Sequence, residues 1–130
     1  MEKHESHFAP HLAIKVLLPA IAFYEKAFGA RILHAWKNPD GSVHVAEMSL
    51  NDRLFHLHEE TARSNQMSPE TTVSTSVVIG FFTPYPDELF NRAVAAGATI
   101  DSPMQDYDYG YRQGTLVDPF GHQWLIQKKI

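Results

Sequence analysis

The feature that most constrains the fold is a tight turn between two apolar runs near the C-terminus. Residues 114–117 (Gly-Thr-Leu-Val) lead into Asp-Pro-Phe-Gly at residues 118–121, and a second apolar run begins at Trp124. Aspartate can cap the backbone of its own turn, proline fixes φ at the second position, and glycine tolerates the geometry at the fourth. Two apolar runs joined this closely predict a β-hairpin.

Length and composition bound the class of protein. A chain of 130 residues, 44% hydrophobic and 20% charged, has the size and make-up of one compact domain. The formal net charge of −4 gives no broad basic field, so we expect no nucleic-acid partner. The sequence has no cysteine, which excludes disulfides and thiolate sites. No apolar run approaches the roughly 20 residues of a membrane span, and the N-terminus lacks a signal-peptide core, so we expect a cytoplasmic protein without a membrane partner.

Apolar periodicity predicts one order of elements in both halves of the chain. The expected elements of the first half are a strand at 11–17, a helix from Pro19 to Gly29, and strands at 32–36, 42–50 and 54–58. Those of the second half are a strand at 73–82, a helix from Pro86 to Gly97, a short strand at 99–100, a loop at 101–108, and hairpin strands at 109–117 and 123–127. The pattern therefore predicts two βαβββ modules.

The same pattern divides the chain into four segments. Residues 1–9 are polar and are expected to be a loose N-terminal segment, and residues 10–59 form the first module. Residues 60–72 are polar and aperiodic, which is typical of a linker, and residues 73–130 form the second module. Because neither half could easily bury its sheet and helix alone, we expect the two modules to pack into one compact domain.

Three blocks of this sequence resemble the glyoxalase, bleomycin-resistance and extradiol-dioxygenase superfamily, whose members are called vicinal oxygen chelate proteins. Phe-Gly-His-x-Trp at residues 120–124 is closest to the PhnB-like branch of that superfamily. Residues 21–30 resemble the first helix of the branch, and residues 92–98 resemble its second helix. The resemblance implies an α+β fold in which two βαβββ modules form a curved, mainly antiparallel sheet around a cleft. Members often pair and open sheet edges favour association, so we expect a homodimer.

The resemblance also indicates where a metal ion could bind. In the metal enzymes of the superfamily, the first and fourth strands of each module offer one ligand apiece. His11 and His56 match these two positions in the first module, and alternation puts His58 on the same face as His56. The second module carries Leu125 at its last expected position, and no ligand is found there. The resemblance therefore implies at most a partial divalent-metal site at His11 and His56, and the favoured interpretation is that the two are polar residues of the cleft.

Glu47 is the candidate catalytic residue. It lies on a strand face that is otherwise apolar, where a carboxylate needs a partner. It could act as a general base or as a ligand from a neighbouring strand. The alternative is a structural carboxylate that is paired with an arginine or with a backbone group.

Four further residues are candidate ligand-binding residues. Tyr109 and Arg112 belong to a tyrosine-rich cluster, and a guanidinium beside aromatic faces suits anionic or planar ligands. The alternative for Arg112 is a pair with Asp106 or Asp108 that holds the loop. The other two candidates, Phe55 and Trp36, are large apolar residues that lie either in the core or in the wall of the cleft.

Two functions are compatible with these residues. One is a glyoxalase-like protein that binds a small planar or anionic molecule in the cleft between the modules and needs no metal. The alternative is a metal-dependent lyase, isomerase or dioxygenase, in which His11, His56 and Glu47 hold the ion. The first is favoured, because the loss of two ligands harms metal catalysis more than it harms binding.

Overall fold

The protein contains two four-stranded sheets, each covered on one face by a helix. The computed structural model describes residues 6–61 and 66–130. Its elements in chain order are β1 (His11–Ile14), α1 (Leu17–Phe28), β2 (Arg31–Lys37), β3 (Val43–Leu50), β4 (Arg53–Glu59), α2 (Pro69–Thr72), β5 (Val78–Phe82), α3 (Pro86–Ala96), β6 (Thr99–Tyr107), β7 (Tyr111–Val117) and β8 (Gln123–Lys129). The first sheet has the strand order β1-β4-β3-β2, and the second has the order β5-β8-β7-β6.

This arrangement confirms the predicted α+β fold with two βαβββ modules. The pairs β1–β4 and β5–β8 are parallel, and the other neighbouring strands are antiparallel. The segment boundaries stay predictions, and residues 1–5 and 62–65 of the expected N-terminal segment and linker lie outside the described residues. None of the helices in the described ranges has the length and hydropathy that crossing a lipid bilayer requires.

Helix α1 begins two residues earlier than expected, and β1 ends at Ile14. Pro19 is the third helical residue, where its missing N–H lies in the first turn and costs little. At the other end, Gly29 adopts a φ of 71° and donates its N–H to the Glu25 carbonyl at 3.0 Å. The helix packs on β3 and β4 through its buried residues. These are Leu17, Ala20, Ile21, Phe23, Tyr24, Ala27 and Phe28.

The second module departs from the prediction at two strands. β5 begins at Val78 and not at Val73, because Ser68 caps α2 and Val73 ends that short helix with a φ of 70°. β6 continues to Tyr107, where a loop was expected, although it contains Pro103. Because β6 is an edge strand, a proline there can be accommodated, and the strand shows register shifts on either side of Ser102.

The two modules share one hydrophobic core. Arg92 of α3 donates from Nε to the Lys26 carbonyl near the C-terminal end of α1, at 2.8 Å, where a cation also complements the helix dipole. Trp124 of β8 packs on Phe28 of α1, with ring centroids 4.7 Å apart. It also contacts Phe55 of β4 at 6.1 Å. Residues of the second module therefore complete the core of the first.

The final hairpin, as predicted, turns at the buried carboxylate of Asp118. Its Oδ1 accepts the backbone N–H groups of Phe120 and His122 at 2.9 and 3.0 Å. Its Oδ2 accepts the Tyr24 hydroxyl at 2.5 Å and Trp124 Nε1 at 3.0 Å. Burial, and next the nearby carboxylate, raise the pKa of Tyr24 well above its ordinary value, so that its hydroxyl stays a donor. Asp118 thereby ties the second module to α1 of the first.

The turn also contacts the linker and β1. Gly121 adopts a φ of 91° and donates its N–H to the Asp118 carbonyl at 3.0 Å. A Cβ atom at this position would lie 2.7 Å from the Cβ atom of Pro69, so α2 packs directly on the turn. Nε2 of His122 lies 2.9 Å from the carbonyl oxygen of Ala13, as expected for a histidine that holds the hairpin in place.

Replacing Asp118 is expected to destabilise the protein far more than replacing one of its donors. Tyr24→Phe removes a single hydroxyl, so we expect a loss of about 1–3 kcal/mol of unfolding free energy. Asp118→Ala leaves four buried donors without an acceptor, so we expect a loss of more than about 4 kcal/mol. Urea unfolding followed by tryptophan fluorescence measures both losses. Similar losses in the two variants would contradict the central role of this carboxylate.

Candidate functional site

A row of four polar side chains crosses the first sheet on the face turned away from α1, which we call the open face. Backbone register pairs His11 with His56, His56 with Glu47, and Glu47 with His34. Alternation along β4 sends the neighbouring Phe55 to the helix-covered face. This histidine row (His11, His56, Glu47 and His34) therefore spans all four strands.

Three members of the histidine row are in contact. The ring of His11 stacks on that of His56, with centroids 4.4 Å apart and planes 14° from parallel. Nε2 of His56 lies 3.4 Å from Oε2 of Glu47, and both side chains are partly buried. Nδ1 of His56 is buried and has no hydrogen-bond partner among the described residues. Glu47 thus has a histidine as its partner, where the sequence suggested an arginine or a backbone group.

Two imidazoles of this face, those of His11 and His58, favour their neutral form. Burial lowers the pKa of His11, and the neighbouring His56 lowers it further. Burial also lowers the pKa of His58, with further lowering by His11, His44 and His56. The His58 ring lies 5.2 Å from that of His11 and extends the group of imidazoles along β4. Neutral imidazole can accept a hydrogen bond or bind a metal ion.

The geometry of the histidine row fits a metal ion poorly. Lone pairs of imidazole lie in the ring plane, so two stacked, nearly parallel rings do not direct them at a common point between the rings. In residues 6–61 and 66–130, no three His, Asp or Glu side chains are arranged so that they could hold one ion. On the second sheet, Leu125 is paired with Gly80 and Thr115, which offers no carboxylate or imidazole ligand there. The partial metal site at His11 and His56 stays a prediction.

A cavity of about 340 Å³ adjoins the histidine row beside β1. His11 and His58 line one side of it, and the segment between α2 and β5 contributes Ser74 and Thr75. His122 of the final hairpin also lines it. The volume lies in the range of small-molecule pockets, and the lining combines apolar surface with a few polar groups. The cavity and the row together can accommodate a small organic molecule.

The two apolar candidates of the first module lie on opposite faces of their sheet. Phe55 is 4% exposed and packs edge-on against Tyr24, with ring centroids 5.6 Å apart, so it belongs to the core. It also lines a smaller cavity of about 190 Å³. Trp36 is 45% exposed, and its ring lies 4.2 Å from that of His34. Trp36 therefore extends the histidine row, whereas Phe55 does not contact it.

Arg112 lies on the second sheet and is engaged by two carboxylates. Its Nε and Nη2 donate to the two oxygens of Asp87 at 2.7 and 2.6 Å, and its Nη1 donates to Asp106 at 2.9 Å. The pair with Asp106 was one of the alternatives that the sequence suggested. The bidentate pair with Asp87 was not, because that residue lies 25 positions earlier at the start of α3. A ligand-binding role of Arg112 stays a prediction.

Tyr109 lies at the tip of the β6–β7 hairpin and is 60% exposed. Its hydroxyl donates to Oε1 of Gln113. The structure thus brings His11, His56, Glu47 and Trp36 together on one sheet, and it places Tyr109 and Arg112 on the other. Sequence reasoning missed His34 as a member of the row, because only the β2–β3 register places it beside Glu47.

Because Arg112 and Asp87 form an ion pair, we expect the stability of the folded protein to depend on pH. Hydrogen bonds from Arg112 hold the pKa of Asp87 below its ordinary value. The stabilisation of the folded state by this ion pair is therefore fully present above the ordinary aspartate pKa of about 3.9, and it is lost as the pH falls below that value. We expect Asp87→Asn to lower the melting temperature at pH 7 and to have progressively less effect below pH 4.

Glu88→Gln is the matched control for that experiment. It removes the same charge from the same helix turn, and the carboxylates that pair with Arg112 in the described ranges are those of Asp87 and Asp106. Any effect of charge at the helix N-terminus is therefore shared by the two variants. An Asp87→Asn effect that equals the Glu88→Gln effect at every pH would contradict a specific contribution from the pair.

Comparison with known proteins agrees with this fold. A family model of the Glyoxalase/Bleomycin resistance protein/Dioxygenase superfamily matches residues 6–126. An uncharacterized protein of Mycobacterium bovis is 33% identical over 129 residues, which cover 97% of this chain and 85% of the relative.

Solved structures share the fold at lower identity. The crystal structure of TioX from Micromonospora sp. ML1 is 23% identical, with a TM-score of 0.74, and the match covers 96% of this chain and 97% of that one. A protein from Bacillus cereus, described as a putative 3-demethylubiquinone-9 3-methyltransferase and PhnB protein, is 20% identical with a TM-score of 0.64, covering 95% and 98%. With the family model matching nearly its whole length, this chain belongs to the Glyoxalase/Bleomycin resistance protein/Dioxygenase superfamily.

Proposed function

We propose that this protein is a glyoxalase-like binding protein of the PhnB-like type, which holds a small planar molecule on the open face of its first sheet. The observation that carries the proposal is the histidine row and the cavity beside it, which share His11. Flat rings of His11, His56 and Trp36 can stack on a planar ligand. Glu47 and the imidazoles can fix its polar groups by hydrogen bonds.

The contact between Glu47 and His56 gives the site a group that could move a proton. A carboxylate can only accept, so it favours the proton of His56 on Nε2, 3.4 Å away. The pair supports the predicted role of Glu47 as a general base without any metal. The alternative, a metal-dependent lyase, isomerase or dioxygenase, is supported by His11 and His56 at the two expected strand positions. Binding of one metal ion by both residues would require the stacked rings of His11 and His56 to separate.

A thermal-shift screen distinguishes the two functions. The probes are benzoate, benzamide, phosphate and the divalent ions of zinc, nickel, manganese and iron, each with and without chelator. A ligand at 100 times its dissociation constant stabilises the folded state by about 2.7 kcal/mol. We expect an aromatic probe to raise the melting temperature regardless of chelator. We expect His56→Ala and Glu47→Gln to abolish that rise.

His44→Ala is the matched control for this screen. His44 lies 3.3 Å from Glu59, so it also pairs with a glutamate, but it is outside the histidine row. The control should keep the rise that the aromatic probe causes. If instead one metal stabilises the protein strongly, and both His11→Ala and His56→Ala abolish that effect, the metal-dependent enzyme is the correct function.

We propose that the predicted homodimer forms through the exposed edge of the first sheet. β2 is an edge strand, and it exposes Ile32, Leu33 and Trp36. Apolar side chains on an unpaired edge favour association with a second copy. Pairing there would lie beside the histidine row, because Trp36 contacts His34.

Light scattering tests this association. We expect a mass near twice the 14.7 kDa of one chain at micromolar concentration. Leu33→Glu should shift the protein to the mass of one chain, because it buries a charge at the edge. Val73→Glu adds the same charge at an exposed valine outside the strands and should leave the mass unchanged. A monomeric mass of the unmodified protein at every concentration would contradict the proposal.

A further inference from the structure

The smaller cavity, of about 190 Å³, lies where the two modules meet, and we call it the junction cavity. β4 of the first module lines it with Leu54 and Phe55, and β5 of the second module lines it with Ile79 and Phe81. Ile79 also lines the larger cavity, so the two cavities are neighbours. No member of the histidine row is among the described residues that line the junction cavity. Its chemistry is therefore separate from that of the row.

The interior of the junction cavity is apolar. Leu50 and Phe55 are buried members of its lining, and Leu54 is partly buried. Trp124 also lines it, but its Nε1 donates to Asp118 and leaves no spare donor for a ligand. The volume equals that of about six water molecules, which is less than a drug-sized ligand needs. A compact apolar group of roughly six non-hydrogen atoms matches this space.

One charged side chain, that of Arg53, belongs to the described lining of this cavity. Asn51 and Asp52 have φ values of 49° and 65°, and the tight turn that they form pairs Arg53 with the buried Leu50. The turn thus holds an exposed, permanently charged guanidinium beside the apolar interior.

The guanidinium of Arg53 has no carboxylate partner in residues 6–61 and 66–130. The ion pairs within these ranges use other basic side chains, namely His44, His56 and Arg112. A guanidinium binds a carboxylate through two parallel N–H···O bonds, and an apolar cavity takes up the attached hydrocarbon from water. A molecule with a small apolar tail and one carboxylate matches both features.

We propose that the junction cavity is a second binding site, for a small aliphatic monocarboxylate. The tail of the ligand contacts Leu54, Phe55 and Phe81, and its carboxylate pairs with Arg53. Such a ligand has no flat ring to stack on the histidine row, so the site goes beyond the proposed function. Either site can fail its test without the other.

Three probes separate the contribution of the charge from that of the tail. Hexanoate has both, hexanamide has a tail of the same length without the charge, and acetate has the charge without the tail. Titrations followed by ¹H–¹⁵N NMR report affinity and location together. We expect hexanoate to shift the backbone signals of Arg53, Leu54 and Gly80, and to bind about tenfold more tightly than hexanamide. Acetate should cause no saturable shift.

A pair of arginine variants tests the role of the charge. Arg53→Gln should weaken hexanoate binding by about tenfold and leave hexanamide binding unchanged, because only the carboxylate uses the guanidinium. Arg31→Gln is the matched control. Arg31 is likewise exposed and begins a strand of the same sheet, but it lies outside the lining of the cavity. This control should bind hexanoate as the unmodified protein does.

A second pair of variants tests the role of the tail. Leu54→Phe adds a larger side chain to the wall of the cavity, so it should weaken hexanoate and hexanamide alike. Leu18→Phe makes the same replacement at an exposed position of α1, outside the cavity, and should leave both affinities unchanged. The melting temperatures of the two variants show whether each is folded. Arg53→Gln alters an exposed side chain and tests the site independently of that outcome.

Three results would overturn the proposal. The first is the absence of a saturable shift with hexanoate at millimolar concentration. The second is a shift that maps to His11 and His56 and not to Arg53 and Leu54, which would place the carboxylate in the site of the proposed function. The third is an equal affinity for hexanoate and hexanamide, or a hexanoate affinity that Arg53→Gln leaves unchanged, because the cavity would then not select a carboxylate.

Discussion

A single buried carboxylate joins the two modules within their shared core. Asp118 accepts two backbone N–H groups of its own turn through one oxygen, and it accepts Tyr24 and Trp124 through the other. These four hydrogen bonds offset the cost of removing a carboxylate from water. Because Tyr24 belongs to α1 and Trp124 to β8, the same residue orients both sheets. The positions of both open faces therefore depend on it.

The two modules share a topology but differ in the chemistry of their open faces. Ionisable groups, such as His56 and Glu47, face outward on the first sheet, whereas uncharged rings and amides, such as Tyr109 and Gln113, face outward on the second. His56, Glu47 and Gln113 lie on regular strands, which hold side chains more rigidly than loops do, whereas Tyr109 lies at the tip of the β6–β7 hairpin. The shared fold explains the placement of these groups, and the side chains themselves decide what each face can bind.

Local pattern predicted the elements well, and contacts between distant elements much less well. Asp118 was identified because its turn is encoded in adjacent residues, and alternation alone placed His56 on the open face. The pairing of His34 with Glu47 was missed, because strand register depends on the whole β2–β3 connection. The pairing of Arg112 with Asp87 was also missed, because it depends on how α3 packs on the second sheet. Residues 101–107 were predicted as a loop but belong to β6, an edge strand, where a proline is tolerated.

Pro69 rests on Gly121 at a point where no side chain fits between α2 and the turn. The same proline lines the cavity beside His11, so part of the cavity wall is fixed by the hairpin of the opposite module. A methyl group at position 121 would press on Pro69, and it would also strain a turn whose φ of 91° glycine adopts readily. One wall of the cavity is consequently set in part by a turn glycine that does not itself line the cavity.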